Sequence, residues 1–102
     1  MQFRKLLIIA ALATSVSAGN GYTWAYCQNL PSGGDDSGAT AGVCNSLVPA
    51  GTCSDCKVQQ ALLDPQRITK CTSVGRNIDP RNWANRCRDS MYGAGRKTGI
   101  GN

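Results

Sequence analysis

Residues 77–91 read NIDPRNWANRCRDSM, and this stretch predicts a helix with one buried face. Asp79 suits the N-cap because its carboxylate can accept a backbone N–H of the first turn. Pro80 suits the first helical position, whose N–H has no intrahelical partner. Trp83 and Cys87 lie four residues apart and therefore share one face of the helix. We expect this face to bury the indole beside a disulfide.

Residues 21–29, GYTWAYCQN, alternate aromatic and smaller side chains, a period of two that is typical of a β-strand. The alternation places Tyr22, Trp24 and Tyr26 on one side of the strand. If that side is exposed, the rings could stack against carbohydrate. The alternative is a core role, because small sheets usually bury one face.

Three further segments supply a helix and two strands. Asp36 or Ser37 can cap a helix through residues 38–48, in which apolar side chains recur at three- and four-residue spacing. Residues 57–59 and 67–74 have the composition of strands. The chain therefore alternates between strands and helices without a linker that would divide it.

The predicted order is strand, helix, strand, strand, helix and strand. It indicates an α+β fold: a small disulfide-stapled split β-α-β (βαββαβ-like) sandwich, with an antiparallel sheet and two helices on one face. Residues 19–102 form the single domain. From about residue 93 the chain is glycine-rich, and we expect a flexible tail there, with a short edge strand at 98–100 as the alternative.

Residues 1–18 have the three parts of a secretory signal peptide. Arg4 and Lys5 form the positive region, residues 6–13 the apolar region, and residues 16–18 a small-residue cleavage site. The apolar region is far shorter than the roughly 20 residues that span a bilayer. We expect cleavage after residue 18, export to an oxidising compartment and no stable membrane anchor.

The six cysteines all lie in the part that remains after this cleavage. An even number in a small exported chain predicts a framework of three disulfides, which compensates for a small hydrophobic core. Spacing alone does not choose among the pairings. The predicted disulfide residues are Cys27, Cys44, Cys53, Cys56, Cys71 and Cys87.

Cys53 and Cys56 form a Cys-x-x-Cys motif, CSDC, that could be a redox dithiol, half of a zinc site or part of the disulfide framework. A redox dithiol usually has its thiolate stabilised by a helix that follows the motif, and none is evident here. A zinc site needs a second close pair of ligands, whereas Cys71 and Cys87 are well separated. We predict no metal, and structural disulfides in which each of the two cysteines has a distant partner.

The chain contains no histidine, and its six acidic residues are all aspartates. Histidine-based triads and most catalytic zinc sites are therefore excluded. A Ser-Lys dyad or a pair of aspartates remains chemically available, but each aspartate has a simpler role in a cap, a turn or a helix surface. We predict a protein that is not an enzyme and has no cofactor.

The formal charge is +5, or +3 once Arg4 and Lys5 are removed, and the bases lie mainly in the second half. A basic surface can attract nucleic acid, anionic lipid or acidic polysaccharide, although spread-out bases more often form a solvated face. Specific nucleic-acid binding would need a denser basic stripe. Tryptophan and arginine recur at interface hot spots, which makes the candidate partner contacts Trp24, Arg81, Trp83, Arg86 and Arg88.

The motifs AYCQN, TAGVCN, CSDCKV, CTSVG and WANRC occur in an order that resembles small secreted cysteine-rich proteins of filamentous fungi, the class from which plant-pathogen effectors come. Some members look like killer toxins with a disulfide-held βαββαβ sandwich. The chain departs from those toxins because no terminal cysteine fixes its last strand. The resemblance implies secretion into the apoplast or host–fungus interface and action by binding rather than catalysis.

The sequence thus leads to the hypothesis of a secreted, non-enzymatic effector that binds a host protein or a cell-wall polysaccharide. Its role would be virulence through suppression or evasion of host defence. The alternative is a secreted antimicrobial or killer-type toxin that acts on the membranes or walls of competitors. The oligomeric state is left open.

Overall fold

The computed structural model describes residues 19–30, 32–91 and 95–102, so the predicted signal peptide lies outside the described residues. Four strands and two helices follow one another in the predicted order. A short 3-10 turn, Ala61–Leu63, lies between the second and third strands. The elements are β1 (Trp24–Asn29), α1 (Ser37–Leu47), β2 (Lys57–Gln59), β3 (Lys70–Thr72), α2 (Pro80–Arg88) and β4 (Lys97–Gly101).

The sheet has the strand order β2-β3-β1-β4, and every neighbouring pair is antiparallel. As a result β1 and β2 run parallel with β3 between them, and β3 and β4 run parallel with β1 between them. Two split β-α-β units are therefore interleaved in one sheet. The two helices contact each other and both contact β1, which makes a single helical layer. The predicted disulfide-stapled α+β fold is confirmed.

Both helices begin at the predicted aspartates. Asp36 Oδ1 accepts a hydrogen bond from the backbone N of Ala39 at 3.0 Å, and Asp79 accepts one from the backbone N of Asn82 at 2.8 Å. Each carboxylate satisfies a donor that the first helical turn leaves unpaired. Pro80 occupies the first turn of α2, as expected.

The core lies between the helices and the sheet. Trp83 on α2 is only 1 % exposed, and its Nε1 donates to the carbonyl oxygen of Tyr26 at 3.0 Å. Its ring fits against β4 because Gly99 has no side chain: a Cβ there would lie 2.6 Å from Trp83 Cδ1. On α1, Thr40 Oγ1 accepts from the backbone N of Cys27 at 2.9 Å and so joins the helix to β1.

Two disulfides connect helices to central strands. Cys27–Cys87 joins β1 to α2, and Cys44–Cys71 joins α1 to β3. All six cysteines are paired, which confirms the predicted framework of three bridges.

The third disulfide corrects the prediction for the CSDC motif. Cys53 and Cys56 were expected to have distant partners, but they are bonded to each other. The chain turns at residues 54 and 55, which brings the two Cα atoms to 5.6 Å, within the usual range for a disulfide. The motif therefore closes a tight turn instead of joining two distant elements.

The C-terminal segment corrects the prediction of a flexible tail from about residue 93 and agrees with the alternative, an edge strand. Residues 92–94 lie outside the described residues, but Lys97–Gly101 forms the edge strand β4 and pairs with β1 from Asn29 to Ala25. The strand is glycine-rich because its core-facing positions lie against bulky groups. A Cβ at Gly101 would overlap the ring of Tyr22, just as one at Gly99 would overlap Trp83.

The strand predicted at residues 67–74 is shorter than expected and covers only Lys70–Thr72. Arg67 has a left-handed backbone with φ of 61°, which an extended strand does not accommodate. The side chain of Asp64 accepts hydrogen bonds from the backbone N of Gln66 at 2.9 Å and of Ile68 at 3.2 Å. These contacts fold the preceding residues into a loop.

Candidate functional site

The sheet has a second face, which we call the open sheet face, because within the described ranges both helices lie on the other side. Ala25 and Cys27 of β1 point to the helices and are 0 % exposed, so Trp24 and Tyr26 point away from them. The registers of the paired strands identify the other residues on the same face as these two rings. The open sheet face consists of Trp24, Tyr26, Gln28, Lys57, Gln59, Lys70, Thr72, Thr98 and Ile100.

The two aromatic rings on this face are nearly parallel. Their centroids are 6.2 Å apart and their planes differ by 10°. The ammonium of Lys70 lies 4.4 Å from the centroid of the Trp24 ring, a cation–π contact. Trp24 and Tyr26 are both half-buried. The rings are therefore held in place before any partner binds, which lowers the entropy cost of binding.

Lys70 is itself fixed by the loop before β3. Its Nζ lies 3.0 Å from Asp64 Oδ1 and donates to Gln66 Oε1 at 3.1 Å. Burial alone would raise the pKa of Asp64, but the hydrogen bonds from Lys70, Ile68 and Gln66 and the charge of Lys70 together lower it. Asp64 thus stays ionised and neutralises the lysine beside the aromatic pair.

Tyr22 does not join the two other rings. The sequence pattern placed it on the same side as Trp24 and Tyr26, whereas the structure packs it against the core. Its backbone N donates to the carbonyl of Ile78 at 2.8 Å, in a bridge that precedes β1. The regular alternation starts only at Trp24, so the aromatic pair has two members rather than three.

The structure separates the five candidate contact residues. Trp24 lies on the open sheet face, while the other four belong to α2 on the opposite side of the sheet. Trp83 is a core residue that a partner does not reach. Arg81 and Arg88 are exposed, and Arg86 is half-buried. The contact role of the exposed and half-buried residues stays a prediction.

The guanidinium of Arg88 forms an ion pair with the adjacent Asp89. Its Nε and Nη2 donate to Asp89 Oδ1 and Oδ2 at 2.9 and 3.1 Å. This paired hydrogen bond raises the pKa of Arg88 and lowers the pKa of Asp89. A pair this exposed contributes little to stability, but it does neutralise both charges locally.

A groove of about 600 Å³, which we call the helix groove, runs between α1 and α2. Arg86 is the one candidate contact that lines it. The asparagines beside Arg86 were missed, although the helical spacing of residues 82, 85, 86 and 89 could have indicated one polar row. The lining residues are Gly42, Val43, Ser46, Asn82, Asn85, Arg86, Asp89, Ser90 and Met91.

The CSDC turn brings possible metal ligands together. The ligand atoms of Cys53, Asp55 and Cys56 lie within 4.8 Å of one another. In this structure the two sulfurs form a disulfide and offer no thiolate. The carboxylate of Asp55 accepts from Ser73 Oγ at 2.6 Å and from the backbone N of Gly75 at 2.8 Å. The disulfide and the hydrogen bonds of Asp55 therefore stabilise the turn.

Comparisons of the chain with models of protein families, with curated proteins and with solved structures found no match. The fold itself defines a class: a small α+β protein made of two interleaved split β-α-β units and held by three disulfides. No helix in the described part of the chain has the length and apolar character needed to cross a membrane. The three disulfides are compatible with export.

Proposed function

We propose that this protein is a secreted, non-enzymatic effector that acts by surface binding in the apoplast or at a fungus–plant interface, in virulence, defence suppression or evasion. The single observation that supports binding is the open sheet face, where Trp24 and Tyr26 lie nearly parallel outside the core. Within the described ranges, both helices lie against the other face of the sheet. Secretion is supported by the signal-like residues 1–18 and by the three disulfides.

Of the two partner classes, a host protein or a cell-wall polysaccharide, the open sheet face favours the polysaccharide. Aromatic rings present flat apolar surface, against which the C–H face of a sugar ring can pack. Gln28, Thr72 and Thr98 flank the rings with amide and hydroxyl groups that can bind sugar hydroxyls. The charges of Lys70 and Asp64 cancel, which leaves Lys57 as the exposed charge on this face.

The test is co-sedimentation of the disulfide-intact protein with insoluble plant cell-wall polysaccharides. We expect Tyr26→Ala and Trp24→Ala each to lower the affinity about tenfold or more, as truncation of an aromatic anchor does. Leu62→Ala is the matched control, because Leu62 is 78 % exposed and lies in the loop between β2 and β3 rather than on the open sheet face. Thermal unfolding shows whether each variant is folded. Unchanged sedimentation of both folded aromatic variants would contradict the proposal.

A killer-type toxin is the second candidate, and one specific observation favours it. Leu62 and Leu63 on the 3-10 turn are 78 % and 76 % exposed, and Arg67 is exposed nearby in the same loop. Apolar side chains beside a cation can insert into an anionic membrane surface. Leakage of anionic liposomes at physiological salt by low micromolar protein would support the toxin. It would also count against a protein that acts only through wall or host contacts.

A further inference from the structure

We propose that the helix groove binds the carboxylate of an acidic, hydroxyl-rich ligand, namely an oligosaccharide of uronic acid units, and that Arg86 is the residue that contacts this carboxylate. This site lies on the helical side of the sheet and involves none of the residues of the open sheet face. The inference therefore does not depend on the proposed function.

Arg86 is held across the groove by two neutral partners. Its Nε donates to Asn82 Oδ1 at 3.3 Å, one turn earlier on α2, and its Nη1 donates to Ser46 Oγ on α1 at 3.2 Å. Ser46 Oγ in turn donates to the carbonyl of Val43 at 2.6 Å. The guanidinium is thus oriented before a ligand arrives, and it has further N–H donors that these bonds do not use.

Within the described residues, Arg86 forms no ion pair with a carboxylate. The ion pairs there are Lys70–Asp64 and Arg88–Asp89. Asp89 also lines the groove, but both of its oxygens accept from Arg88. Residues 1–18, 31 and 92–94, which the structure does not describe, include no aspartate or glutamate.

The other aspartates are also accounted for. Asp36 and Asp79 cap the two helices, and Asp55 accepts from Ser73 and Gly75. Asp35 is exposed, its backbone pairs with Gln28 in a β-bridge at the end of β1, and it does not line the groove. A half-buried guanidinium without an ion-pair partner therefore lines a concave surface, and such a surface can concentrate anions.

The remaining groups of the groove select among anions. A guanidinium matches the two oxygens of a carboxylate with parallel hydrogen bonds. Asn82 and Asn85 add amide groups suited to hydroxyls, and the apolar Val43 and the 95 % exposed Met91 provide surface for the C–H groups of a sugar ring. A sugar acid combines all three features, whereas a neutral sugar or an inorganic anion has only part of them.

The experiment is calorimetric titration of the disulfide-intact full domain with trigalacturonate, and with neutral galactotriose and inorganic phosphate as comparison probes. We expect trigalacturonate to bind and the two comparison probes to bind at least tenfold more weakly. Arg86→Gln should weaken trigalacturonate binding by about tenfold or more, the range for a hydrogen bond to a charged group. Arg81→Gln is the matched control. Arg81 is exposed on the same helix outside the groove lining, so its loss should change the affinity by less than about twofold.

Three outcomes would overturn the proposal: no binding of trigalacturonate, equal binding of galactotriose or phosphate, or equal losses for Arg81→Gln and Arg86→Gln. Because Arg86→Gln also removes the contact with Ser46, its folding is checked by thermal unfolding. NMR titration of the wild-type protein provides a measurement without substitution. Shifts at the side-chain amides of Asn82 and Asn85 support the groove. Shifts confined to the Trp24 indole would contradict the groove and support the open sheet face.

Discussion

At the scale of single residues, Asp55 has the most connected side chain of the CSDC turn. Its carboxylate accepts from Ser73 Oγ, the backbone N of Gly75 and Asn77 Nδ2, the last at 3.0 Å. Burial opposes ionisation of this group, but the hydrogen bonds together outweigh burial and lower the pKa of Asp55. One side chain thus joins the turn at residues 53–56 to the loop between β3 and α2.

We expect Asp55→Asn to lower the free energy of unfolding at pH 7 by about 1 to 3 kcal/mol, because an amide leaves at least one of these donors without an acceptor. Chemical denaturation of both proteins measures this difference. Asp35→Asn is the control, since Asp35 is exposed and its side chain caps no helix. Equal stability of Asp55→Asn and the wild type would show that the three hydrogen bonds do not hold the loop.

The difference in the free energy of unfolding between the wild type and Asp55→Asn should decrease in acid. A carboxyl whose pKa is lower in the folded state stabilises the fold above the pKa of the unfolded chain, and this contribution is lost as the pH falls through the folded pKa. The gap between wild type and Asp55→Asn should therefore be full at neutral pH and shrink below about pH 4. A gap that grows in acid would contradict this assignment.

At the scale of the elements, β4 shows why part of the fold was hard to predict. The helix caps were predictable because capping depends on local side-chain chemistry, and Asp36 and Asp79 cap as expected. A glycine-rich segment locally favours flexibility, so the sequence predicted a flexible tail and gave the edge strand at 98–100 only as the alternative. Only the tertiary structure reveals that Gly99 and Gly101 leave room for Trp83 and Tyr22.

The close packing of β4 against α2 predicts that Gly99→Ala destabilises the protein, although alanine usually favours a strand more than glycine does. The new Cβ would lie 2.6 Å from Trp83 Cδ1 and 2.9 Å from the Ala84 Cα, so the backbone of α2 would have to shift. We expect a loss of about 1 to 3 kcal/mol in a denaturation experiment.

Gly34→Ala is the control for Gly99→Ala. Its Cβ would meet only Ser32 Oγ, at 3.6 Å, so its effect should stay within about 0.5 kcal/mol. If Gly99→Ala were as stable as this control, the close packing of α2 on β4 would be refuted.

At the scale of the whole molecule, the spacing of the cysteines in the sequence did not determine which of them pair. The number of disulfides followed from composition, but the partners depend on how β1 and β3 lie beneath the helices. The candidate site was likewise predicted only in part. Trp24 and Arg86 were identified by residue type, whereas their placement on opposite sides of the sheet required the strand order.

The three disulfides should differ in their contribution to stability. In the chain-entropy model, the bridge Cys27–Cys87, with a separation of 60 residues, contributes about 4 kcal/mol, and Cys44–Cys71, with a separation of 27, about 3.5 kcal/mol. Cys53–Cys56, with a separation of 3, contributes about 2 kcal/mol.

We therefore expect the double substitution of Cys53 and Cys56 by serine to leave a folded protein, and the same change at either long bridge to abolish or strongly reduce folding. Circular dichroism and thermal unfolding rank the three double variants by stability. A larger loss from the CSDC variant than from the long bridges would show that the turn has a role beyond loop closure.

Both long disulfides also cross between the two β-α-β units. Cys27 and Cys44 belong to the unit β1-α1-β2, while Cys71 and Cys87 belong to the unit β3-α2-β4. A protease that cuts the loop between β2 and β3, where Arg67 is exposed, would therefore produce two fragments still joined by two covalent bonds. The interleaved sheet would keep these fragments in register, so a single backbone cut in this loop would leave the two halves of the molecule together.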